Sequence, residues 1–387
     1  MYRLLIILGC TIGLLAAGVY ILNKESTAAN SESSLTVADV MAAGNTAGYA
    51  RAEAPREFVF PRDHGMHPEF RTEWWYYTGN LQTAAGRHFG YQFTIFRTAL
   101  SPDTTSRISD WASNQLYMGH FTLSDVESGA FYFKERFSRA GNDLAGVRSQ
   151  PFRVWLEDWI VSDIGENPDA AMPAMHISAR QDDIILALTL RPQKPIVLQG
   201  NAGLSQKGPQ KGNASYYYSA TRLKSTGTVT VGKEIHQVEG YSWMDREWST
   251  SALGDNQAGW DWFSLQLSDN RELMYYQLRK KDGSADVFSK GIIVNADGST
   301  IPITHSQVTL TILDNWKSPL GGAYPARWKL QIPAYDVDLE VTPLLAKQEL
   351  DVAIRYWEGA VRVAGELSGN GITGFGYVEL TGYADGD

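Results

Sequence analysis

Residues 71–81 read RTEWWYYTGNL, a run with the aromatic composition of a β-strand. Successive side chains on a strand point to opposite faces. One face of this strand would therefore carry Glu73, Trp75 and Tyr77, and the other would carry Trp74 and Tyr76. An ionised Glu73 within so apolar a strand is costly unless it is paired, and Arg71 lies two residues away on the same face. We therefore expect either a structural Arg–Glu pair with Arg71 or a direct role in a ligand site.

The chain from Phe58 onward repeats this pattern. Short runs rich in Tyr, Phe, Trp, Val, Ile and Thr alternate with turn signals of Gly, Asn and Asp, and no long amphipathic helix competes. Many strands at such short spacing are typical of β-barrels or sandwiches rather than of a parallel α/β sheet. The sequence therefore predicts an all-β fold, and an aromatic fraction of 12% favours an aromatic-walled pocket.

The composition divides the chain into four parts. An apolar run follows Arg3 and continues to Leu22, which predicts a signal peptide or a membrane anchor. The stretch from Gly200 to Gly212 is polar and Gly-rich and fits either a domain linker or a loop over a pocket, and a new hairpin begins at Gly227. We assign 1–24 to the signal peptide or anchor, 25–57 to a linker, 58–224 to an N-terminal half and 225–387 to a C-terminal half.

Bulk properties limit the location and the partners of the protein. The N-terminal segment predicts export across an inner membrane to the periplasm, with cleavage near residues 16–18 or 28–29, or retention as an anchor. Cys10 also fits the alternative of a lipoprotein, which is anchored by a lipid on its cysteine. It is the only cysteine of the chain, so the body of the chain forms no disulfide. The net charge of −9 disfavours nucleic acid. We expect an apolar small molecule as the ligand.

Residues 240–249, GYSWMDREWS, contain the main candidate for chemistry. In an extended conformation Trp243, Asp245 and Glu247 share one face, with the two carboxylates about 7 Å apart. In an apolar cavity, desolvation and a neighbouring negative charge both raise a carboxyl pKa, so that such an acid can donate a proton near neutral pH. The alternative is a buried ion network in which an arginine neutralises the acids, and this alternative is favoured for Glu247.

Two further segments bear on a possible site. Trp260 and Trp262 alternate with Asp261 on a predicted strand, and their indole rings suit either the wall of a cavity or an ordinary core. His64 and His67 stand in an irregular loop, where turn-forming histidines are favoured over metal ligands. The sequence contains no nucleophile-elbow, zinc-protease, phosphate-loop or catalytic-cysteine motif, so we expect no metal and no cofactor.

Taken together, these segments resemble the AttH-like family, which includes the carotenoid 1,2-hydratases and is described as lipocalin-like. The similarity extends over nearly everything from Phe58 to Tyr383. The matching stretches are residues 60–65, 71–81, 90–97, 243–249, 259–267 and 356–361. The resemblance implies two consecutive lipocalin-like, calycin-type β-barrels. It also implies distant kinship with fungal pericyclases and related cyclases.

The resemblance also implies a role for Asp245. In carotenoid hydratases an aspartate protonates a terminal isoprenoid double bond, and water then captures the tertiary cation. The strand that carries this aspartate is similar to the strand here, so the acid role would fall to Asp245, with Trp243 and Trp260 as the aromatic surroundings of the cation. The following Arg246 and Glu247 are more typical of the broader AttH-like branch, whose members have no settled reaction.

We therefore expect an extracytoplasmic protein that binds an apolar, isoprenoid-like or lipid-like molecule and hydrates or isomerises it, with Asp245 as the proton donor. The residues expected to bind the ligand are Glu73, Trp75, Tyr77, Trp243, Glu247, Trp260 and Trp262. A non-catalytic lipocalin-like lipid carrier or export accessory protein is the alternative. A glycosidase-like hydrolase that uses Asp245 and Glu247 is less favoured, because neighbours on one strand rarely flank a substrate.

Overall fold

A computed structural model describes residues 46–103, 109, 113–167, 170–250 and 253–384. Within these residues the regular structure is β-strand, apart from four short 3-10 helices at Arg62–His64, Gly141–Asp143, His305–Gln307 and Pro333–Tyr335. The predicted signal peptide or anchor at 1–24, with Cys10, lies outside the described residues. No helix in the described part has the length and the apolar composition required to cross a membrane.

Thirteen of the described strands form one antiparallel sheet. They are β1 (Thr72–Gln82), β2 (His88–Ala99), β3 (Gln115–Asp125), β4 (Ala130–Arg139), β5 (Ala145–Ser149), β6 (Phe152–Leu156), β7 (Trp159–Asp163), β8 (Met175–Gln181), β9 (Ile184–Pro192), β10 (Val197–Leu198), β11 (Leu204–Gln206), β12 (Ala214–Val231) and β13 (Glu234–Ser249). Their order in space is β4-β3-β2-β1-β13-β12-β9-β8-β7-β6-β5, with β10 and β11 beside β12.

The other ten described strands form a second antiparallel sheet. They are β14 (Gln257–Leu267), β15 (Glu272–Lys280), β16 (Lys290–Val294), β17 (Thr300–Thr304), β18 (Thr309–Lys317), β19 (Ala323–Ile332), β20 (Val337–Pro343), β21 (Glu349–Leu350), β22 (Tyr356–Leu367) and β23 (Asn370–Leu380). Their order is β17-β16-β15-β14-β23-β22-β20-β19-β18, with β21 beside β22.

The first sheet curls into a nearly closed barrel, and the second forms a half-barrel. Alternate side chains fill each interior, because every strand turns one face inward. The first core includes Phe93, Ile95, Leu123 and Trp159, and the second includes Phe263, Leu265, Trp328 and Val361. Full burial of each such side chain contributes about 1.5–3 kcal/mol. The prediction of an all-β fold with two consecutive barrel-like halves is confirmed.

β1 and β13 are neighbours in the first sheet, and their register shows which side chains point to each face of the sheet. Their register aligns Tyr76 with Asp245 and Trp75 with Arg246. Because faces alternate, Trp75 and Arg246 point into the barrel, whereas Tyr76 and Asp245 point towards the second sheet. This alternation places Asp245 outside the barrel core, in the space between the sheets.

The two sheets approach each other closely at β2 and β22. A Cβ at position 90, which is Gly90, would lie 2.4 Å from the Cβ of Ala360, so a larger residue there would push the sheets apart. A third apolar cluster fills the space between the sheets and includes Tyr76, Tyr217, Trp243, Trp262, Met274 and Tyr377. The candidate site lies in the part of this space that side chains leave unfilled.

The boundary between the two sheets does not lie at residue 224, where the sequence predicts the boundary between the two halves of the chain. That boundary falls within β12, which continues to Val231 and pairs with β9 and β13 of the first sheet. The hairpin predicted from Gly227 onward is present, but its hydrogen bonds join it to the first sheet. The change from one sheet to the other comes between Ser249 and Gln257.

Part of the segment predicted as a linker packs on the first barrel. In residues 46–57, Ala52 is fully buried, and the hydroxyl of Tyr49 donates a hydrogen bond to the carbonyl of Ala99 at 2.8 Å. The amide of Ala50 donates to the carbonyl of Glu69 at 2.8 Å. These contacts arise because small and aromatic residues in the stretch cover the barrel surface, which composition alone does not reveal.

Candidate functional site

An aromatic cavity of about 140 Å³ lies between the two sheets. Strands of the first sheet form one wall, and β14, β15, β22 and β23 form the opposite wall. Its aromatic lining includes Trp74, Tyr76, Phe96, Tyr217, Trp260, Trp262, Tyr276 and Tyr356. The lysine and carboxyl side chains that line it, among the described residues, are Lys207, Asp245, Glu247, Glu358 and Glu379. Carboxyl groups thus outnumber cations in an otherwise largely apolar space.

Asp245 presents its carboxyl group to this cavity from β13, and its exposed fraction is only 4%. Its Oδ1 accepts hydrogen bonds from Ser219 Oγ at 2.5 Å and from the indole N–H of Trp243 at 2.7 Å. Its Oδ2 accepts a hydrogen bond from the Tyr217 hydroxyl. Arg246 points to the other face of β13, where it pairs with a different carboxylate, and Asp245 forms no ion pair within the described part of the chain.

These surroundings raise the pKa of Asp245 to about 7. Burial is the largest cause, because it disfavours the charged carboxylate, and the negative charge of Glu247 acts in the same direction. The hydrogen bonds from Ser219, Tyr217 and Trp243 act in the opposite direction, since they stabilise the carboxylate. A pKa near 7 leaves a sizeable fraction of the acid protonated at neutral pH, which suits general acid catalysis.

Tyr217 links Asp245 to the second sheet. The indole N–H of Trp262 donates to the Tyr217 hydroxyl at 3.2 Å, and this hydroxyl in turn donates to Asp245. Burial raises the pKa of Tyr217 well above its usual value, so the phenol stays a neutral donor. The hydrogen bonds therefore fix the position of the carboxyl group relative to an indole ring on the opposite wall.

Lys207 supplies a positive charge at the cavity. It follows β11, and its Nζ lies 3.3 Å from Oε1 of Glu247 and 4.1 Å from the ring centroid of Tyr276. Burial lowers the pKa of Lys207, but Glu247 and Tyr276 outweigh burial, and the pKa is raised overall. The Gly-rich stretch 200–212 therefore includes a residue that lines the pocket, which agrees with one of its two predicted uses.

Two more carboxyl groups face the cavity from the second sheet. Glu358 on β22 and Glu379 on β23 stand directly opposite each other in the strand register. The Tyr76 hydroxyl donates to Oε2 of Glu358 at 2.9 Å, and the indole N–H of Trp260 donates to Oε1 of Glu379 at 2.8 Å. Burial raises the pKa of Glu358 well above its usual value and that of Glu379 to about 8, with neighbouring carboxylates adding to both shifts.

Four of the residues predicted for the site line this cavity. They are Asp245, Glu247, Trp260 and Trp262. Trp243 belongs to the apolar cluster between the sheets, and its indole N–H holds Asp245 in place. The contacts of these residues with a ligand stay predictions.

The structure corrects the placement of the other three predicted residues. Glu73, Trp75 and Tyr77 point into the first barrel, away from the cavity, and none of them is exposed. Burial would raise the pKa of Glu73, but Arg97 and Arg246 donate hydrogen bonds to it and their charges hold its pKa well below the usual range. Glu73 therefore has the structural role, and it pairs with Arg97 and Arg246 where the sequence points to Arg71. Both faces of β1 are aromatic, so alternation alone does not tell which face meets the second sheet.

Sequence reasoning missed several lining residues: Tyr76, Lys207, Tyr217, Glu358 and Glu379. Tyr76 lies on the face of β1 opposite to Glu73, Trp75 and Tyr77, the residues predicted to contact the ligand. Tyr217 is the middle one of three consecutive tyrosines at the end of the Gly-rich stretch. Glu358 interrupts an apolar strand, and a carboxylate in that position is the signal that would have found it.

Among the described residues, no group of three or more His, Cys, Asp and Glu side chains is arranged to hold a metal ion. The two ring nitrogens of His64 lie 2.6 Å from the Tyr218 hydroxyl and 2.6 Å from the Ala171 carbonyl. His67 stacks on Trp248, with ring centroids 3.8 Å apart. Both histidines therefore make packing and hydrogen-bonding contacts in the first barrel.

The fold and the site together define a class of all-β proteins, in which two barrel-like sheets enclose an aromatic cavity with buried acids. Within that class, the family model described as AttH-like matches residues 51–383. The chain therefore belongs to the AttH-like family.

Solved structures show the same fold. The crystal structure of an AttH protein of Nitrosomonas europaea is 36% identical, with a TM-score of 0.76, over 86% of this chain and 99% of that chain. Kievitone hydratase from Nectria haematococca is 16% identical, with a TM-score of 0.63, over 86% of this chain and 97% of that chain. The second likeness shows a shared fold and no more.

Two curated relatives have names that refer to the addition or removal of water. Kievitone hydratase of Fusarium solani subsp. phaseoli is 23% identical over 230 residues, which are 56% of this chain and 64% of that protein. Dehydratase asqC of Emericella nidulans is 22% identical over 223 residues, which are 53% of this chain and 60% of that protein. The chain spans less than two thirds of the length of each of these relatives.

Proposed function

We propose that the protein is an acid–base catalyst of the hydro-lyase class, which adds water to, or removes water from, a compact and mostly apolar molecule. The main observation is the state of Asp245, a buried carboxyl group in the wall of an aromatic cavity with three neutral hydrogen-bond donors and a pKa raised to about 7. Such a group can both give and accept a proton near neutral pH.

In the hydration direction, Asp245 gives its carboxyl proton to one carbon of a double bond. A C–H bond forms, the π bond breaks, and positive charge develops on the other carbon. A water molecule attacks that carbon and loses a proton to a carboxylate of the cavity, so that no net proton is consumed. Dehydration is the same sequence in reverse.

The aromatic walls support this reaction, because a cation is stabilised over the face of an aromatic ring by about 0.5–2 kcal/mol. Trp260 and Trp262 both line the cavity. Their indole N–H groups donate hydrogen bonds to Glu379 and Tyr217, so the ligand would contact the apolar surfaces of the two rings.

The size of the cavity supports a compact reacting group. An apolar cavity of about 150 Å³ accepts a benzene molecule, and the cavity here measures about 140 Å³. The terminal five-carbon unit of an isoprenoid, or a single ring, has that size. Pockets for drug-sized ligands are about 300–1,000 Å³, and a lipid carrier would need at least as much room. The volume of this cavity therefore favours a compact reacting group over a lipid chain at Asp245.

We also propose that the protein acts outside the cytoplasm, either free in the periplasm or held there by its N-terminus. The apolar run that follows Arg3 supports this location. A reporter enzyme that matures only after export, fused to residues 1–45, should become active; an inactive reporter would contradict the proposal.

The test of the reaction is the hydration of alkenes that form a tertiary cation, with 4-fluoro-α-methylstyrene and terminal isoprenoid alkenes as probes. In ¹⁸O-labelled water the alcohol product should carry the label, which mass spectrometry detects. We expect Asp245→Asn to lower the rate by about 10²–10⁴-fold, the contribution of a positioned acid, while circular dichroism shows an intact fold. Asp297→Asn, the same change at an exposed turn, should keep the parent rate. Equal rates for Asp245→Asn and the parent would remove Asp245 from the mechanism.

A further inference from the structure

Glu358 has a hydrogen-bonding atom that the described residues leave unused. Its side chain has no exposed surface and lines the cavity on the wall opposite Asp245. Its Oε2 accepts the hydrogen bond from the Tyr76 hydroxyl at 2.9 Å. Its Oε1 is also buried and has no hydrogen-bond partner among the residues that the structure describes.

The environment of Glu358 holds it in the neutral form. A buried carboxylate without a cation is strongly disfavoured, and Glu358 forms no ion pair within the described part of the chain. Glu379 stands directly opposite on β23, where like charges destabilise each other. Burial and the charge of Glu379 raise the pKa of Glu358 well above its usual value. A neutral carboxyl group carries one O–H donor as well as its acceptor oxygens.

Glu358 and Tyr76 together have one hydrogen-bond donor more than they have acceptors for it among the described residues. Neutral Glu358 and Tyr76 hold two O–H donors between them, and the hydrogen bond that joins them uses one. The second donor has no acceptor in the described protein. Buried donors in proteins nearly always have an acceptor, and a donor left without one is destabilising. Since Glu358 lines the cavity, an acceptor atom on a ligand would satisfy it.

We propose that Glu358 is a specificity residue whose neutral carboxyl group donates a hydrogen bond to an oxygen atom of the ligand. The ligand is then a compact apolar molecule with a carbonyl or hydroxyl oxygen, and not a plain hydrocarbon. This inference rests on the proposed function, because it names the substrate class of the same cavity. The oxygen would bind at β22, across the cavity from the acid on β13.

Three probes of nearly equal size test this proposal on the full chain. They are 4-fluoroacetophenone, 2-(4-fluorophenyl)propan-2-ol and 4-fluoro-α-methylstyrene, which differ in carrying a carbonyl oxygen, a hydroxyl or a methylene group. Dissociation constants for the parent and for variants of Glu358 are measured by ¹⁹F NMR in chains that also carry Asp245→Asn, so that the alkene and the alcohol are not interconverted. The readout is the alkene Kd divided by the ketone or alcohol Kd, because comparing this ratio between variants cancels the different solubilities of the probes.

Glu358→Leu removes the donor and should lower at least one ratio about 5- to 10-fold, which corresponds to one hydrogen bond. Glu358→Gln keeps an N–H donor near the same place and should retain most of the preference. A loss confined to the ketone ratio identifies a carbonyl ligand, and one confined to the alcohol ratio identifies a hydroxyl. Equal ratios in the parent and Glu358→Leu would overturn the proposal, as would a Glu358→Gln chain that behaves like Glu358→Leu.

Tyr76→Phe is the second variant, in case Glu358→Leu disturbs the packing. It removes the phenol and leaves the carboxyl donor of Glu358 in place, so the preference for oxygen should persist. A preference lost in Tyr76→Phe would assign the spare donor to the tyrosine and overturn the proposal. The ketone is not hydrated, so its binding is measured without turnover. Failure of alkene hydration would count against the proposed function and would leave the binding ratios unchanged.

Discussion

Two buried acids on neighbouring strands, Glu73 on β1 and Asp245 on β13, have pKa values shifted in opposite directions. Their exposed fractions are 0% and 4%. Burial opposes the ionisation of both, but Arg97 and Arg246 hold the pKa of Glu73 well below its usual range. Within the described part of the chain, the donors to the carboxyl oxygens of Asp245 are all neutral, and burial raises its pKa to about 7. The cation partner, and not the degree of burial, therefore decides the charge state of each acid.

The alternation of side chains along β13 produces this difference. Arg246 follows Asp245 directly in the sequence, yet it points into the barrel, where it pairs with Glu73. Its Cζ lies 3.9 Å from the ring centroid of Trp75, so the guanidinium is also covered by an aromatic face. The sheet itself separates the cation from the acid beside it. An arginine next to an acid in a strand sequence is thus no sign that the acid is neutralised.

Among the variants that test the comparison of Glu73 with Asp245, we expect the largest effect from Glu73→Leu, on the stability of the fold. The change leaves Arg97 and Arg246 buried without their carboxylate, and breaking a buried ion pair costs about 3–5 kcal/mol. Urea unfolding followed by tryptophan fluorescence should show a loss of that size in the free energy of unfolding. Glu340→Gln, which breaks the exposed pair with Arg327, is the control and should change stability little. Unchanged stability in Glu73→Leu would mean that Glu73 does not hold the two arginines.

A smaller effect is expected from Tyr217→Phe, which alters the acid in the cavity. The Tyr217 hydroxyl stabilises the carboxylate of Asp245, so its removal should raise the pKa of Asp245 further. Hydration needs the protonated acid, so the rate should hold at low pH and fall as the pH rises through this pKa. We expect the falling limb of kcat/KM to move up by about one pH unit or less, the equivalent of one hydrogen bond.

The control for this prediction is Trp262→Phe, which removes the donor to Tyr217 but keeps the bond from Tyr217 to Asp245. Its falling limb should move less than that of Tyr217→Phe. A limb that stays in place in Tyr217→Phe, or moves to lower pH, would show that the tyrosine does not stabilise the carboxylate.

The two-residue period of β-strands accounts for most of what could be predicted from the sequence. It predicts that Asp245 and Glu247 share one face of a strand and that Trp260 and Trp262 share one face of another. In the structure all four line the cavity, the two acids on β13 and the two tryptophans on the opposite wall at β14. The same period could not choose between the two faces of β1. Both faces are aromatic, and only packing against the second sheet decides which one borders the cavity.

The opposite wall of the cavity could not be predicted, because it depends on how the two sheets meet. Glu358 and Glu379 come from strands far along the chain, and their approach to Asp245 follows from the curvature of the sheets and from close contacts such as Gly90 against Ala360. The boundary at residue 224 failed to match the sheets for a related reason. Turn signals locate a hairpin, but they do not tell which sheet receives it.

The most direct test of this account is an infrared titration of the Asp245 carboxyl group. A protonated carboxyl group and a carboxylate absorb at different frequencies, and the difference between the parent and Asp245→Asn assigns the band to this residue. We predict a protonated Asp245 at about pH 5 that loses its proton with a midpoint at about 7. A midpoint at about 4, the ordinary value for aspartate, would mean a carboxylate at neutral pH and would contradict the role of Asp245 as a proton donor.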